Sequence, residues 1–169
     1  MRLLGAALVL LSALSAAHCY SAGTARRVAA LREMDAALAH MRAELSMRLS
    51  TLPELAALLA ESEHGTAQQF FSALESALAH LGEESFPALW RKCVNEQLNA
   101  LRASERDEML RLGESLGRYE LGEQLSALDL CRAQLNTSAE HAASALPDQK
   151  RLAYGLSAAA GGMLCILLL

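Results

Sequence analysis

Apolar segments at its two ends constrain the fold of this 169-residue chain more than any other feature. Residues 3–22 and residues 152–169 contain no Asp, Glu, Lys or Arg. A helix of about 18 to 20 residues is about 27 to 30 Å long, enough to cross the hydrocarbon core of a bilayer. We therefore predict a transmembrane helix over residues 1–23, a helical domain over 24–150, and a second transmembrane helix over 151–169.

The basic residues that flank the two apolar segments indicate the orientation of the chain. One arginine, Arg2, precedes the first segment, whereas Arg26, Arg27 and Arg32 follow it. Lys150–Arg151 stand immediately before the second segment, on the same side. Because positively charged flanks remain on the cytoplasmic side of a membrane, this pattern predicts a multi-pass membrane protein whose central domain is cytoplasmic.

The same apolar ends are also compatible with removal by cleavage or with attachment of a lipid anchor. The small residues 15–17 resemble a signal-peptide cleavage site, and Cys19 resembles the acceptor of a lipid anchor. The apolar tail could be a glycosylphosphatidylinositol signal, and residues 136–138 form a glycosylation sequon. A secreted or lipid-anchored helical surface protein, processed at both ends, is therefore the alternative.

The segment between the apolar ends has the composition of a helical bundle. Aromatic residues make up 4% of the chain, whereas alanine and leucine dominate it, which favours helices over strands. Two long stretches carry apolar residues at spacings of three and four, typical of one buried helix face. Their members are Leu31, Met34, Leu38, Met41 and Leu45 in the first, and Leu121, Leu125, Leu128, Leu135, Ala139, Ala142 and Leu146 in the second.

Local start and stop signals divide the rest into shorter helices. They predict an all-α bundle of about six soluble helices, with Trp90 in its core and a kink or break at Pro147. The predicted caps are Thr51 with Glu54, Thr66 with Gln69, Ser85 with Pro87, and Ser104, and the predicted stops are Gly65 and Gly82.

Several classes of function find no support in the residues. The net charge of -4 disfavours a nucleic-acid partner, and the histidines have no metal-ligand spacing, so we expect no metal or cofactor. Cys93 and Cys131 lack an adjacent histidine or a glycine-rich oxyanion turn, which disfavours a thiol enzyme. Buried free thiols are the favoured interpretation, although a disulfide between these two cysteines stays open.

Two glycines, Gly113 and Gly117, lie four residues apart and so share one helix face. Glycine is unfavourable inside a helix, so the pair suggests close packing at Gly113 and a helix end at Gly117. An ordinary corner between two helices would also explain both residues.

The segment around these glycines resembles the signature of a known family. Residues 112–121, Leu-Gly-Glu-Ser-Leu-Gly-Arg-Tyr-Glu-Leu, followed by Gln124, are similar to the stage III sporulation protein AB (SpoIIIAB) family. Residues 31–38 and the closing 165–169 resemble the same family. Two departures are Arg42, where the family commonly has an acid, and the displaced proline at Pro53.

The resemblance implies a mother-cell membrane protein of endospore formation, in the assembly that joins mother cell and forespore. It also implies a domain similar to the F-type platform of type II secretion systems. The implied partners are a SpoIIIAA-type cytoplasmic ATPase and other membrane proteins of the same complex. Arg118 and Glu120, beside the glycine corner, are the candidate contact residues.

Overall fold

Six helices and no strand form the described part of the chain, which confirms the all-α class. The computed structural model describes the backbone of residues 2–48, 51–80, 82–116 and 120–168, and the side chains of residues 22–47, 51–80, 82–116 and 120–145. The helices are α1 (Arg2–Arg48), α2 (Leu52–Ser62), α3 (Gly65–Leu78), α4 (Phe86–Gln97), α5 (Ala103–Ser115) and α6 (Leu121–Leu168).

The first and last helices are much longer than the other four. The sequence predicted separate helices for the apolar ends, whereas the backbone of α1 and α6 continues through them as helices of 47 and 48 residues. The sequence predicted a kink or break at Pro147. The break is wrong, because helical backbone continues on both sides of it, and the kink stays a prediction. A proline inside a helix removes one backbone N–H donor, and here that loss does not end the helix.

Backbone contacts divide the chain into two units. The larger unit is Arg27–Glu140, and the smaller one consists of Met1–Arg26 together with His141–Leu169. Both apolar ends of the sequence therefore belong to the same smaller unit.

Within the larger unit, α1 and α6 run antiparallel. Asp35 of α1 accepts a hydrogen bond from Nε of Arg132 at 3.0 Å, and Nε of Arg42 lies 2.6 Å from the carboxylate of Asp129. The order of the partners along α6 is the reverse of their order along α1, which fixes the antiparallel direction. Arg42, the departure from the family pattern, thus has an acidic partner on α6.

The apolar faces predicted from periodicity lie in the core where their side chains are described. Leu121 and Leu125 are partly buried against it, and Leu146 lies outside the described side chains. All five residues of the α1 face are at most 5% exposed, and Leu128 and Leu135 of α6 are at most 1% exposed. Helices α3 to α5, with the residue that follows α4, add large buried side chains to the same cluster, three of them aromatic. These are Phe70, Phe71, Leu74, Trp90, Leu98 and Met109, each 2% exposed or less.

Two of the predicted helix starts are confirmed. The backbone N–H of Thr51 donates to Glu54 at 2.9 Å, which begins α2 and lowers the pKa of the Glu54 carboxyl. Ser85 precedes α4, and Pro87 lies in its first turn, where the missing N–H of proline has no cost.

The predicted start at Thr66 is wrong. Helix α3 begins at Gly65, whose φ of 61° is in the left-handed region, and His64 is the residue before it. The Thr66 N–H instead donates to the carboxylate of Glu33, at 2.7 Å. The carboxylate of Glu33 in α1 thus accepts a backbone N–H at the start of α3, where the sequence suggested a cap by the Thr66 hydroxyl. Only contact between distant segments could supply it.

The predicted cap at Ser104 is also wrong, and α5 begins two residues earlier than expected. The residue that precedes α5 is Arg102, so Ser104 lies inside the first turn. The backbone N–H of Arg102 donates to the carboxylate of Glu105 at 2.7 Å. Helix α3 likewise ends at Leu78, ahead of the predicted stop, and Gly82 lies in the turn that follows with a φ of 117°.

Candidate functional site

Gly113 lies in the interface between α4 and α5, against the indole of Trp90. A Cβ atom at Gly113 would overlap the indole ring, so no larger residue fits without movement of the ring or of α5. The indole Nε1 donates a hydrogen bond to the backbone carbonyl of Met109, one turn earlier in α5, at 2.6 Å. Because Gly113 has no side chain, the indole of Trp90 can lie close enough to α5 for its Nε1 to bind the carbonyl of Met109.

Trp90 is also the centre of an aromatic group. Its ring centroid lies 4.9 Å from that of Phe70, in an edge-to-face arrangement, and 5.7 Å from that of Phe86. The side chain is fully buried. The prediction that Trp90 is a core residue is confirmed, and the ring joins α3, α4 and α5.

The predicted contact residues lie beyond α5. Helix α5 ends at Ser115, and the buried Leu116 N–H donates to Leu112 at 3.0 Å. Gly117 and Arg118 lie outside the described residues. Glu120 is exposed, and its carbonyl accepts the N–H groups of Glu123 and Gln124 at the start of α6, at 3.0 and 3.1 Å.

The structure therefore separates two residues that the sequence placed in one motif. Gly113 is buried between helices, whereas Glu120 faces solvent. Among the described residues of this segment, the side chains of Glu114 and Glu120 are both exposed.

A buried ion pair between Arg27 and Glu105 is a feature that the sequence did not indicate. Nε of Arg27 lies 3.1 Å from both carboxylate oxygens of Glu105, and Nη2 also contacts Oε1. The side chains are 12% and 2% exposed. Sequence analysis used Arg27 only to orient the chain, and 78 intervening positions leave no local signal for the pairing.

The two cysteines of the larger unit are free and buried. Sγ of Cys131 contacts Sδ of Met109 at 3.9 Å. Burial, together with the charges of Glu108 and Asp35, raises the pKa of the Cys131 thiol to about 12. Burial likewise raises the pKa of Cys93, so neither thiol is poised to form the thiolate that a nucleophile needs.

A polar cavity of about 320 Å³ lies between the first half of α5 and α6. Its two acidic residues already have partners: Glu105 binds Arg27, and Glu108 accepts a hydrogen bond from Arg111 at 3.0 Å. In the described part of the chain, no group of His, Cys, Asp or Glu side chains could hold a metal ion. The cavity thus carries no unpaired acid for catalysis.

Membrane crossing was predicted for residues 1–23 and 151–169, and most of their side chains lie outside the described part of the structure. Among the described residues, no helix is long and apolar enough to cross a membrane.

Comparison with known proteins gives one family and one similar structure. The family model of stage III sporulation protein AB matches residues 2–169. A solved structure of a stage III sporulation protein AB is similar, with a TM-score of 0.65 and 23% sequence identity over 72% of this chain and 97% of that chain. A comparison with curated proteins finds no match.

The described part of the chain is all-helical, with two long helices that run antiparallel within the larger unit and four short helices between them in sequence, and the solved structure shares this fold. Since the family model covers the chain almost from end to end, the protein belongs to the stage III sporulation protein AB family and has a role in sporulation.

Proposed function

We propose that this protein is a non-enzymatic membrane platform of endospore formation that docks a cytoplasmic ATPase. It would lie in the mother-cell membrane around the forespore, with both ends in the bilayer and the larger unit in the cytoplasm. Other membrane proteins of the same complex and the bilayer itself are further partners. The helical domain would act as the F-type platforms of type II secretion do.

The observation that carries this proposal is the continuity of α1 and α6. Each helix begins or ends in an apolar segment of the sequence, and each contributes one face of the core of the larger unit. At 1.5 Å per residue, each helix is about 70 Å long, longer than a bilayer core requires.

The chemistry of the larger unit favours docking over catalysis. The raised pKa values of its two thiols disfavour a covalent mechanism, and the acids of its polar cavity are paired. Membership in a sporulation family also favours the platform over a processed surface protein.

The corner between α5 and α6 is the proposed ATPase contact. Glu120 is exposed there, and Arg118 is its neighbour in the sequence. Exposed charges of this kind contribute little to stability, so their replacement should change binding and leave the fold intact.

Co-purification of the full chain with the SpoIIIAA-type ATPase tests the proposal. Arg118→Glu and Glu120→Lys should each weaken capture of the ATPase, with unchanged helicity by circular dichroism. The matched controls are Arg32→Glu and Glu96→Lys, because both residues are exposed on other helices. Failure of the unaltered chain to capture the ATPase would refute docking. Equal capture by the corner variants and the controls would refute only this contact surface.

A further inference from the structure

Two arginines at the start of α5 carry positive charges that no carboxylate of the larger unit neutralises. Arg102 is exposed and Arg106 is half-buried, and within the described residues neither has an ion-pair partner. Five other arginines of the larger unit do pair with a carboxylate, namely Arg27, Arg42, Arg91, Arg111 and Arg132. The two charges of α5 are therefore available to an anion outside the chain.

Arg102 and Arg106 lie on one side of α5. They are four residues apart, so their side chains follow one another along the same helix face. The neighbouring acid, Asp107, lies about 100° further round the helix from Arg106. Glu105 and Glu108 already bind other arginines. This side of the start of α5 is thus positively charged.

The Arg27–Glu105 ion pair places the two arginines beside the first residue of the larger unit. Nε of Arg27 lies 3.1 Å from both carboxylate oxygens of Glu105, and one of these oxygens also accepts the N–H of Arg102 at 2.7 Å. A single carboxylate therefore joins Arg27, where the larger unit begins, to the start of α5. The fold brings together arginines that are far apart in the sequence.

Chain length keeps Arg27 near the end of the first apolar segment. That segment ends at Ala22, and the five residues that lead to Arg27 span at most about 17 Å even when fully extended. Headgroups extend about 5 to 8 Å beyond a hydrocarbon core. The potential of an anionic lipid surface reaches about 8 to 10 Å further. With residues 3–22 in a bilayer, Arg27 lies within reach of that potential.

The chemistry of the two arginines fits the phosphate of a lipid headgroup. A guanidinium group stays charged at every physiological pH and binds a phosphate through two parallel hydrogen bonds. Across the cavity beside the start of α5, helix α6 offers no competing carboxylate, because it lines that cavity with Gln134, Leu135, Thr137 and Ser138. An anionic lipid would supply the negative charge that the described residues do not.

We propose that Arg102 and Arg106 form a headgroup surface, which binds anionic lipids on the cytoplasmic side of the membrane. The inference rests on the membrane anchoring in the proposed function and goes beyond it, because it adds a contact with lipid that the apolar ends do not make. It does not depend on ATPase docking.

Hydrogen exchange of the full chain in lipid nanodiscs tests this contact. One set of discs contains phosphatidylcholine alone, and the others contain increasing fractions of phosphatidylglycerol. In the unaltered protein, phosphatidylglycerol should slow exchange in residues 102–108, and salt at about 1 M should abolish the effect, because the screening length falls to about 3 Å. Arg102→Gln should raise the phosphatidylglycerol fraction needed for half the effect about fivefold, the contribution of one arginine near an anionic surface.

The double variant Arg102→Gln with Arg106→Gln should lose the response of α5, with unchanged helicity by circular dichroism. Arg102→Lys with Arg106→Lys should keep most of the response, because both positive charges remain. The matched control is Arg91→Gln with Lys92→Gln, which removes two exposed positive charges from α4 and should leave the response intact.

A response of α5 that survives loss of both arginines would overturn the headgroup surface, as would no response in protein that is inserted in the discs. An equal response to inorganic phosphate, added to discs of phosphatidylcholine alone, would assign the arginines to a soluble anion and also overturn it. Failure of the chain to insert would refute the membrane anchoring and the lipid contact together. Capture of the ATPase is measured separately, so the docking function is not decided by this result.

Discussion

Gly113 shows how one missing side chain shapes the interior of the bundle. A Cβ atom there would overlap the Trp90 indole, and the indole is fixed by its hydrogen bond to Met109 and by Phe70 and Phe86. These neighbours cannot move aside without a cost in free energy, since protein interiors are close-packed. The steric cost should therefore exceed the gain in helix propensity that alanine brings.

We predict that Gly113→Ala lowers the free energy of unfolding by about 1 to 3 kcal/mol, as for other overpacked cores. Gly122→Ala is the matched control, because it lies in α6 with nothing within 4 Å of the added Cβ. It should stabilise the protein by up to about 1 kcal/mol. Thermal unfolding followed by circular dichroism measures both. Equal effects of the two substitutions would contradict the role given to Trp90.

The buried thiol of Cys131 makes the stability of the protein dependent on pH. Its thiol has a pKa of about 12 in the folded protein, against an ordinary value of 9.0. A raised folded pKa contributes stability that is fully present below the unfolded pKa. The unfolded thiol ionises first as pH rises, so this contribution is lost between about pH 9 and pH 12.

The native protein should therefore lose more stability than the Cys131→Ala variant when the pH is raised from 8 to about 10.5. Melting temperatures of the two proteins across this range measure the difference. The Cys93→Ala variant tests whether the thiol of Cys93, whose pKa is also raised, adds to the loss of stability. Parallel curves for the native protein and both variants would show that thiol ionisation does not contribute.

The corner between α2 and α3 depends on contacts with α1. Gly65 adopts a left-handed backbone, and the Glu33 carboxylate occupies the space beside it to bind the Thr66 N–H. Nearby, Nδ1 of His40 lies 3.0 Å from the carboxylate of Glu63. Two side chains of α1 thus hold the turn between two short helices.

We predict that Gly65→Ala destabilises the protein by at least about 1 to 2 kcal/mol, the cost of a left-handed conformation for a residue with a Cβ. The Glu33 carboxylate would also have to shift, since it lies 2.5 Å from the new atom. Thermal unfolding measures the loss, again with Gly122→Ala as the control. An unchanged melting temperature would mean that the corner can adopt another turn.

The helices were predictable where their signals are local. The 3.6-residue period revealed the faces of α1 and α6, and Thr51 with Glu54 revealed the start of α2, because all these residues interact within one or two turns. The start of α3 was not predictable, because Glu33 binds Thr66 from 33 positions away. The sequence pattern near α3 does not indicate a contact with a residue so far away along the chain.

The candidate site was predictable only in part. Two glycines on one helix face indicated a close approach, but they did not identify Trp90 as the group that approaches Gly113. The sequence around Arg27 and the sequence around Glu105 do not indicate that the two residues pair, since each residue also fits a local role. Arginine after an apolar segment orients a membrane helix, and glutamate in a first turn caps α5.

The whole chain divides into a larger unit, Arg27–Glu140, and a smaller one that contains both apolar ends. The docking proposal requires that both ends remain in the protein and that the body, Arg27–Glu140, faces the cytoplasm. The basic residues on the inner side of each apolar segment predict this orientation.

Protease protection in protoplasts that express the full chain tests this orientation most directly. An antibody against the body follows its cleavage when protease is added outside, before and after the membrane is permeabilised. The platform account predicts an intact body in sealed protoplasts and complete digestion once the membrane is opened. Digestion of the body in sealed protoplasts, while an internal cytoplasmic protein stays intact, would contradict the account.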